Sequence, residues 1–463
     1  MSEVQVEKKL EKDLTEGSPL KLIIAFAIPM ILGNLFQQLY NFVDTMIVGH
    51  FLGVDALAGV GATGSINFLI VGCCIGICSG FAIPVSQMYG AKQYEVMRRY
   101  IANTIYLSVA FSVVITVTVS ILCKNILDFM NTPENIMNYS YVYILTIFLG
   151  IPVTFFYNVL AGIIRAVGDS KTPLVCLVVS TFINVGLDIV FISVFKWGIF
   201  GAAFATVLSQ LMSGILCLYV VIKNFPVLHI KKNEWTVEAN LMKKLCSMGL
   251  PMGLQYSITA IGSVLLQTSV NSLGSIAVAA NTTGGKVNML FLCILDALGG
   301  SMATYGGQNL GAGRVDRIRE GVKVAGLIGV SYSILAFVLA LFVRKPLISL
   351  FLDTPNPKLL EMASMCVLIT IGALPFLVFV NVLRFLIQGV GFSKLALFAG
   401  FFEMIARTIA AIFFIPAIGY IGSCIASPFA WVLADAFLFP AYFSIMKKLE
   451  NQIKSSKIKE ASV

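Results

Sequence analysis

Four polar side chains recur along an apolar stretch near the amino terminus, at Asn34, Gln37, Asn41 and Asp44. They are separated by three, four and three residues, so a helix places them on one arc of about 80°. A carboxylate in such a stripe is costly in hydrocarbon unless it faces a cavity or a partner, which makes Asp44 a candidate functional group. Pro29 removes a backbone donor at the start of this helix and favours a kink there.

A second polar pair, Asn184 and Asp188, lies four residues apart in another apolar stretch and therefore on one helix face. Thr206 adds a hydroxyl group in the next apolar stretch. If Asp44 and Asp188 share a cavity, the two carboxylates cannot easily both stay ionised in a low dielectric, and protons are candidate ligands. Together with Asn184, the same acids could instead bind Na⁺, a hard cation that prefers oxygen. A buried hydrogen-bonded network that only joins the helices is the alternative.

The composition of the chain indicates a membrane protein. Of its 463 residues, 58% are apolar and 12% are charged, and the mean hydropathy is +0.90, whereas soluble domains carry about 25% charged residues. The ten cysteines are scattered through apolar runs without nearby histidine or acidic ligands, so we interpret them as packing residues. Both histidines, His50 and His229, fall in or near predicted loops, and no nucleophile–base set is visible. We therefore expect that the protein is not an enzyme.

Apolar runs long enough to cross a bilayer, which takes about 20 residues, occur twelve times. The predicted fold class is an all-α polytopic membrane protein with twelve transmembrane helices in two pseudo-symmetric six-helix lobes. The predicted spans are residues 20–48, 56–86, 100–122, 139–164, 172–195, 200–222, 245–272, 276–308, 322–343, 363–389, 395–417 and 421–446. The first predicted lobe is residues 20–222 and the second is residues 245–446, and a linker at 223–244 joins them. Tails at 1–19 and 447–463 flank the two lobes. In the second span, Gly72, Gly76 and Gly80 recur every four residues, a spacing that lets neighbouring helices approach closely.

Basic residues are concentrated in alternate loops of this topology. Most of the 32 lysines and arginines fall in the two tails, in the linker and in the loops on the same side, for example at Lys92, Arg98, Arg165 and Arg314. Cytoplasmic loops carry such an excess of positive charge. Both termini are therefore predicted to be cytoplasmic, in a multi-pass protein of the plasma membrane.

The two halves of the chain repeat each other in sequence. LGVDALAGVGATGSINFL, from Leu52, has a counterpart in LGSIAVAANTTGGKVNML, from Leu273, and SQMYGAK has a counterpart in GGQNLGAGR. Six spans per half give the lobes the same orientation, and such repeats usually place a substrate site between the lobes near mid-bilayer. The candidate residues of this substrate cavity are Gln37, Asn41, Asn158, Gln255, Asn288, Met289 and Asn381.

The chemistry should lie where the repeated halves differ. Asp44 falls opposite Leu265 or Leu266, and Asp188 falls opposite Ala411. This combination of two acids with the amide of Asn184 at membrane depth is therefore predicted in the first half only. This difference favours the first lobe as the place of the cation site.

The charges at membrane depth in the second half have simpler interpretations. Glu403 and Arg407, the counterpart of Asn184, are four residues apart and are predicted to form a pair within one helix. Arg384 is predicted to extend to the cytoplasmic face. The sequence shows no partner for the remaining charges in these spans, Lys286, Asp296 and Asp435.

Together these features resemble the multidrug and toxic compound extrusion (MATE) family. The resemblance rests on the twelve spans in two lobes, the first helix from Pro29 to Asp44, the repeated Q-x-x-G-A endings and the Asn184–Asp188 pair, and it covers residues 17–446. It implies export of amphipathic, often cationic compounds, driven by inward flow of H⁺ or Na⁺ through alternating access. In the branch whose cation site lies in the first lobe, the matching positions are Asp44, Asn184, Asp188 and Thr206. Another branch uses acids in the seventh and tenth spans, where this chain has Gln255 and no acid.

The predicted function is that of a cation-coupled antiporter that exports amphipathic drugs or toxic organic compounds. We expect a monomer whose partners are small molecules and membrane lipid rather than nucleic acid, with H⁺ or Na⁺ as coupling ion and no other cofactor. A flippase or exporter of a lipid or lipid-linked metabolite is the alternative, but it is expected to have a basic cavity, whereas this one leans acidic. A structural or receptor-like membrane protein would not need acids confined to one lobe.

Overall fold

The computed structural model describes residues 12–351 and 357–461, so residues 1–11 of the predicted tail and the last two residues lie outside the described part. In the described residues the regular structure is entirely helical. The first half contains α1 (Pro19–Leu52), α2 (Val54–Gly90), α3 (Tyr94–Phe129), α4 (Glu134–Leu149), α5 (Ile151–Ala166), α6 (Lys171–Ile189) and α7 (Gly198–Asn224). The second half contains α8 (Ala239–Asn271), α9 (Ser275–Gly311), α10 (Val315–Ser349), α11 (Pro357–Gly372), α12 (Leu374–Gly389), α13 (Ser393–Ile409), α14 (Ile415–Ile418) and α15 (Tyr420–Ala461).

These helices confirm the predicted all-α membrane fold. Within residues 12–351 and 357–461, ten helices are long and apolar enough to cross a bilayer, and up to twelve spans result if each of two bent helix pairs counts as one span. The pairs are the predicted spans 139–164 and 363–389: α4 and α5 meet at a bend of 47°, and α11 and α12 at 50°. Each second helix has a proline in its first two positions, Pro152 or Pro375, where the missing N–H needs no partner but the preceding helix cannot continue straight.

A π-helical segment follows α6 and another follows α13, at the same place in each half. They span Val190–Val194 and Ala410–Phe414. Such turns are rare and often lie at functional sites, but their presence in both halves shows that they belong to the repeated fold. Measured from these segments, the counterpart of Asp188 is Thr408 rather than the predicted Ala411. The second half has no acid at this position in either alignment.

The helices pack into two compact units that do not divide at the linker. The first unit contains Leu32–Ser257 with Lys12 and Asp13, and the second contains the described parts of Leu14–Ile31 and Ile258–Val463. Each unit has its own core of buried apolar residues. The beginning of α1 therefore packs in the second unit and the beginning of α8 in the first, whereas the predicted lobes assign both segments the other way.

Within the first unit, α2 and the beginning of α8 pack backbone against backbone. A Cβ atom at Gly76 would lie 2.6 Å from the carbonyl oxygen of Met252, and one at Gly80 would lie 2.5 Å from the Cα atom of Gly249. Both distances are shorter than van der Waals contact, so a larger residue at either position would push the two helices apart. The close approach predicted at the glycines of the second span is confirmed at these two positions.

A buried ion pair fixes part of the predicted linker to the first unit. The Arg98 guanidinium on α3 donates to both carboxylate oxygens of Glu234, with Nε–Oε2 and Nη2–Oε1 distances of 2.7 Å. This contact holds the pKa of Glu234 below its ordinary value. Asn103, also on α3, donates to the carbonyl oxygen of Thr236 and accepts from the N–H of Glu238. These bonds hold the chain that leads into α8 against the first unit.

A similar set of bonds holds the residues before α1 in the second unit. Oε1 of Gln308 accepts from the N–H of Leu14 at 2.9 Å, and Nδ2 of Asn309 donates to the carbonyl oxygen of Leu14 at 3.2 Å. The Arg317 guanidinium donates to the carbonyl oxygen of Gly17 at 2.9 Å and to Oδ1 of Asn309 at 3.0 Å. The beginning of each half is thus fixed in the unit formed mainly by the other half.

Candidate functional site

Asp44 and Asp188 come together inside the first unit. Asp44 lies on α1 and is 7% exposed, and Asp188 lies near the end of α6 and is fully buried. Their carboxyl groups face each other within hydrogen-bonding range. As carboxylates they have no hydrogen to donate, and Oδ1 of Asp44 and both oxygens of Asp188 receive no hydrogen bond from the described residues. An added proton, cation or water is needed to satisfy these oxygens.

Asn184 lies one turn before Asp188 on α6, as the sequence predicts, and its side chain is fully buried. Neither its amide nitrogen nor its amide oxygen has a hydrogen-bond partner in the part of the chain that the structure describes. Buried amides are nearly always hydrogen-bonded, because an unpaired one costs about 1–3 kcal/mol. The unsatisfied amide beside two unsatisfied acids therefore forms one incomplete polar site that a small ligand would complete.

Two tyrosines that the sequence analysis does not select border these acids. Tyr40 lies one turn before Asp44 on α1, and its hydroxyl group donates to Oγ1 of Thr206, 3.0 Å away. Tyr40 and Tyr143, which lies on α4, are both within electrostatic range of the two carboxylates. Thr206 therefore joins the site through Tyr40. The four-residue spacing from Asp44 could have identified Tyr40, whereas only the packing of α4 brings Tyr143 to the site.

The arrangement suits the binding of one small cation. No ion pair joins Asp44 or Asp188 to a Lys, Arg or His of the described residues. Within residues 12–351 and 357–461, no three His, Cys, Asp or Glu side chains come together as a metal-binding group. Two carboxylates with an amide oxygen and a nearby hydroxyl group can take up a proton or a hard monovalent cation such as Na⁺.

The residues predicted to line a substrate cavity differ in their exposure. The exposed members are Gln37, Asn41 and Met289. Asn158 is half-buried, and its Nδ2 donates to the carbonyl oxygen of Thr154 at 2.8 Å. The buried members are Gln255, Asn288 and Asn381. The exposed side chains offer the largest free surface, and Asn381 belongs to a polar network inside the second unit.

That network corrects the expectation for Arg384. Instead of extending to the cytoplasmic face, Arg384 is buried and donates from Nη1 to Oε1 of Glu403 at 2.7 Å. Glu403 also pairs with Arg407, one turn later on α13, at 3.6 Å. The predicted Glu403–Arg407 pair within one helix is therefore confirmed, but its distance is longer than that of the Arg384–Glu403 pair. Sequence spacing does not reveal the Arg384–Glu403 pair because its members lie on different helices, α12 and α13.

Two further acids of the second unit, Asp296 and Asp435, lie near Arg384. Asn381 donates to Oδ1 of Asp296 at 2.9 Å and accepts from Nη2 of Arg384 at 3.1 Å. Asp435 is buried within electrostatic range of Arg384 and Glu403, and its two oxygens receive no hydrogen bond from the described residues. Asp435 thus lies near an arginine of another helix, a neighbour that the sequence does not reveal.

Sequence comparison follows the same division into two halves. The MatE family profile matches residues 29–190 and again residues 251–413, together more than half of the chain. The chain belongs to the MATE family. The double match confirms the internal repeat, and MATE proteins are membrane transporters rather than enzymes.

MATE relatives with similar sequences occur in Bacillus subtilis (strain 168). The probable multidrug resistance protein YoeA is 32% identical over 306 residues, which cover 65% of this chain and 66% of that protein. The probable multidrug resistance protein YpnP is 30% identical over 308 residues, covering 66% of this chain and 68% of that protein. A multidrug resistance MATE transporter of the MOP superfamily, solved in an outward-facing conformation, is 22% identical and superposes with a TM-score of 0.88 over 96% of this chain and 100% of its own. This likeness shows that the two proteins share the MATE fold.

Proposed function

We propose that this MATE protein exports amphipathic, often cationic compounds in exchange for H⁺ or Na⁺. The observation that carries the proposal is the Asp44–Asp188 pair, two buried acids that face each other without a base among the described residues. The names of YoeA and YpnP as multidrug resistance proteins support drug export. In this proposal the protein is a monomer of the plasma membrane, and the excess of basic residues in alternate loops supports a cytoplasmic position for both termini.

In this proposal the coupling cation and the substrate are both attracted by the negative charge of Asp44 and Asp188. With the site open to the cytoplasm and Asp44 and Asp188 ionised, the negative charge attracts a lipophilic cation, and apolar contacts hold its body. When the protein exposes the site to the outside, a proton or Na⁺ binds to the carboxylates and neutralises them. The attraction is then lost and the substrate leaves. Each ligand shifts the equilibrium between the two states only through its preference for one of them.

The remaining polar groups complete the coupling site. In sodium-coupled transport, Asp44, Asn184 and Asp188 supply the oxygen ligands of Na⁺. In proton-coupled transport, the amide of Asn184 stabilises the carboxyl group that carries the proton. Thr206 acts through Tyr40, whose hydroxyl group it holds beside the acids.

The charge balance decides whether the membrane potential contributes to export. One charge that crosses 100 mV gains about 2.3 kcal/mol, which corresponds to roughly a fiftyfold concentration ratio. Exchange of one proton for one monovalent organic cation moves no net charge, so only the pH gradient drives it. Neutralisation of both carboxylates by two cations per substrate makes export respond to the potential as well.

Transport by proteoliposomes tests the coupling site. An imposed pH or Na⁺ gradient should drive ethidium transport by the wild-type protein, and Asp44→Asn should abolish this transport while membrane insertion and melting temperature stay unchanged. Asp55→Asn changes an exposed acid in the first turn of α2 and is the matched control, which should transport like wild type. A protonophore and replacement of Na⁺ then identify the coupling ion. Undiminished gradient-driven transport by Asp44→Asn would refute the proposal.

A further inference from the structure

One face of α9 in the second unit is uncovered and carries an acid. Met289 and Asp296 are exposed on this face, whereas the neighbours of Asp296 along the chain, Leu295 and Ala297, are buried. Met289 and Asp296 are seven residues apart, which is about two helical turns, so they lie on the same side of the helix. A flexible apolar side chain and a carboxylate are therefore presented side by side.

The acid on this face has no counterpart in the first half, and no lysine of the described residues pairs with it. The repeat pairs Asp296 with Ile75, so the carboxylate is a feature of the second half alone. Lys286 lies on the same helix, but its Nζ is placed over the ring of Phe351, 5.6 Å from the ring centroid. Because Lys286 and Asp296 are almost three turns apart, the lysine does not pair with the acid.

Asp296 is held in place by a neutral side chain. Nδ2 of Asn381 donates to Oδ1 of Asp296 at 2.9 Å, and Oδ1 of Asn381 accepts from Nη2 of Arg384 at 3.1 Å. Arg384 directs its other amino group, Nη1, to Glu403 at 2.7 Å. The arginine therefore fixes the orientation of the amide, but its ion pair is formed with Glu403 rather than with Asp296.

This network holds more acids than bases. Its acids are Asp296, Glu403 and Asp435, its bases are Arg384 and Arg407, and both bases pair with Glu403. Glu403 and Asp435 are both buried, and the oxygens of Asp435 receive no hydrogen bond from the described residues. Asp296 is the exposed acid of this network, and its partner is an amide rather than an arginine, so a cationic ligand from outside can reach its carboxylate.

We propose that the carboxylate of Asp296 is a second substrate contact, which binds the positive group of an amphipathic organic cation while Met289 contacts its apolar body. This inference rests on the proposed function, because it assumes that the transported compounds are cationic. An inorganic cation needs several oxygen ligands, and Asn381 turns its NH₂ group rather than its oxygen toward Asp296. An organic cation with a diffuse charge needs only one carboxylate beside an apolar surface, and thioether side chains adapt well to varied ligands.

Equilibrium binding of tetraphenylphosphonium to the purified full-length protein in detergent tests this contact. Asp296→Asn should weaken binding about tenfold, because it removes the charge but keeps an oxygen that accepts from Asn381. Triphenylphosphine oxide, a neutral probe of similar shape, should bind this variant within about twofold of wild type. Asp296→Glu keeps the charge and should recover most of the cation affinity, and the control Asp55→Asn should bind both probes like wild type.

An unchanged affinity of Asp296→Asn for tetraphenylphosphonium overturns the proposal, and so does absence of cation binding by the wild type. An equal loss of affinity for the cationic and the neutral probe overturns it as well, because a purely structural role of Asp296 would produce that result. If Asp296→Asn does not yield monodisperse protein, Asp296→Ser takes its place with the same expectations. Failure of the proposed function is seen separately, as gradient-driven transport that persists in Asp44→Asn.

Discussion

Asp44 and Asp188 of the first unit lie in surroundings opposite to those of Glu403 in the second, although both units are copies of one fold. Asp44 and Asp188 face each other without a base among the described residues, whereas Glu403 is shared between Arg384 and Arg407. A buried acid without a base can bind a cation that arrives, whereas an acid between two arginines already has its countercharge. The repeated fold therefore leaves a pair of acids open to a cation at one position and fixes an acid between two arginines at another.

The largest effect that tests this comparison should come from Asp188→Asn, which we expect to abolish gradient-driven export. The variant keeps the size of the side chain but cannot carry a negative charge, so Asp44 is left as the only carboxylate of the pair. Its melting temperature should stay the same or rise slightly, because a buried carboxylate without a donor is removed. Ethidium transport and thermal unfolding of the same preparation measure the two quantities. A large fall in melting temperature would instead place Asp188 among the structural acids.

Glu403→Gln should have the largest effect on stability and lower the free energy of unfolding by about 3–5 kcal/mol, because two buried arginines lose their shared partner. Denaturant-induced unfolding in detergent measures the loss. Asp435→Asn is the matched control in the same network, and we expect it to change stability by less than about 1 kcal/mol, since its oxygens receive no hydrogen bond from the described residues. Equal losses in the two variants would contradict the assignment of Glu403 as the structural acid.

Glu234→Gln tests whether the Arg98–Glu234 ion pair stabilises the first unit. We expect this variant to lower the free energy of unfolding by about 2 kcal/mol. Arg98 lowers the pKa of Glu234 from its ordinary value of 4.5. The pair therefore contributes its full stability above pH 4.5 and loses it as the pH falls through the lower pKa of the folded protein. The difference in unfolding free energy between wild type and variant should be constant near neutral pH and shrink in acid. A difference that keeps its size at about pH 3 would contradict this interpretation.

The smallest effect concerns the hydroxyl groups beside the acids of the first unit. Tyr40→Phe and Thr206→Val each remove one partner of the 3.0 Å hydrogen bond and should shift the cation concentration for half-maximal transport about two- to fivefold. If Thr206 acts only through Tyr40, the double variant should shift no further than either single variant. Additive shifts would show that Thr206 contacts the cation independently.

Hydropathy and residue spacing predict the helices well, because the length and composition of a span are local properties of the sequence. Asp44 and Asp188 are also predictable, since a carboxylate in an apolar helix conflicts with its surroundings wherever the helix packs. Arg384 is not predictable in this way, because its partner Glu403 lies on another helix and only packing joins them. Tyr143 is missed for a related reason: an aromatic residue is ordinary in a membrane span until its neighbours are known.

Cutting the chain in the linker would not release two self-sufficient halves. Leu14–Ile31 packs in the second unit and the beginning of α8 packs in the first, so each fragment would carry a helix segment that completes the core of the other. Neither fragment should accumulate when it is produced alone, whereas two co-expressed fragments should reassemble and be purified through a tag on one of them. An ancestral six-helix chain built on this plan would have been incomplete as a single polypeptide and obligately paired with a second copy.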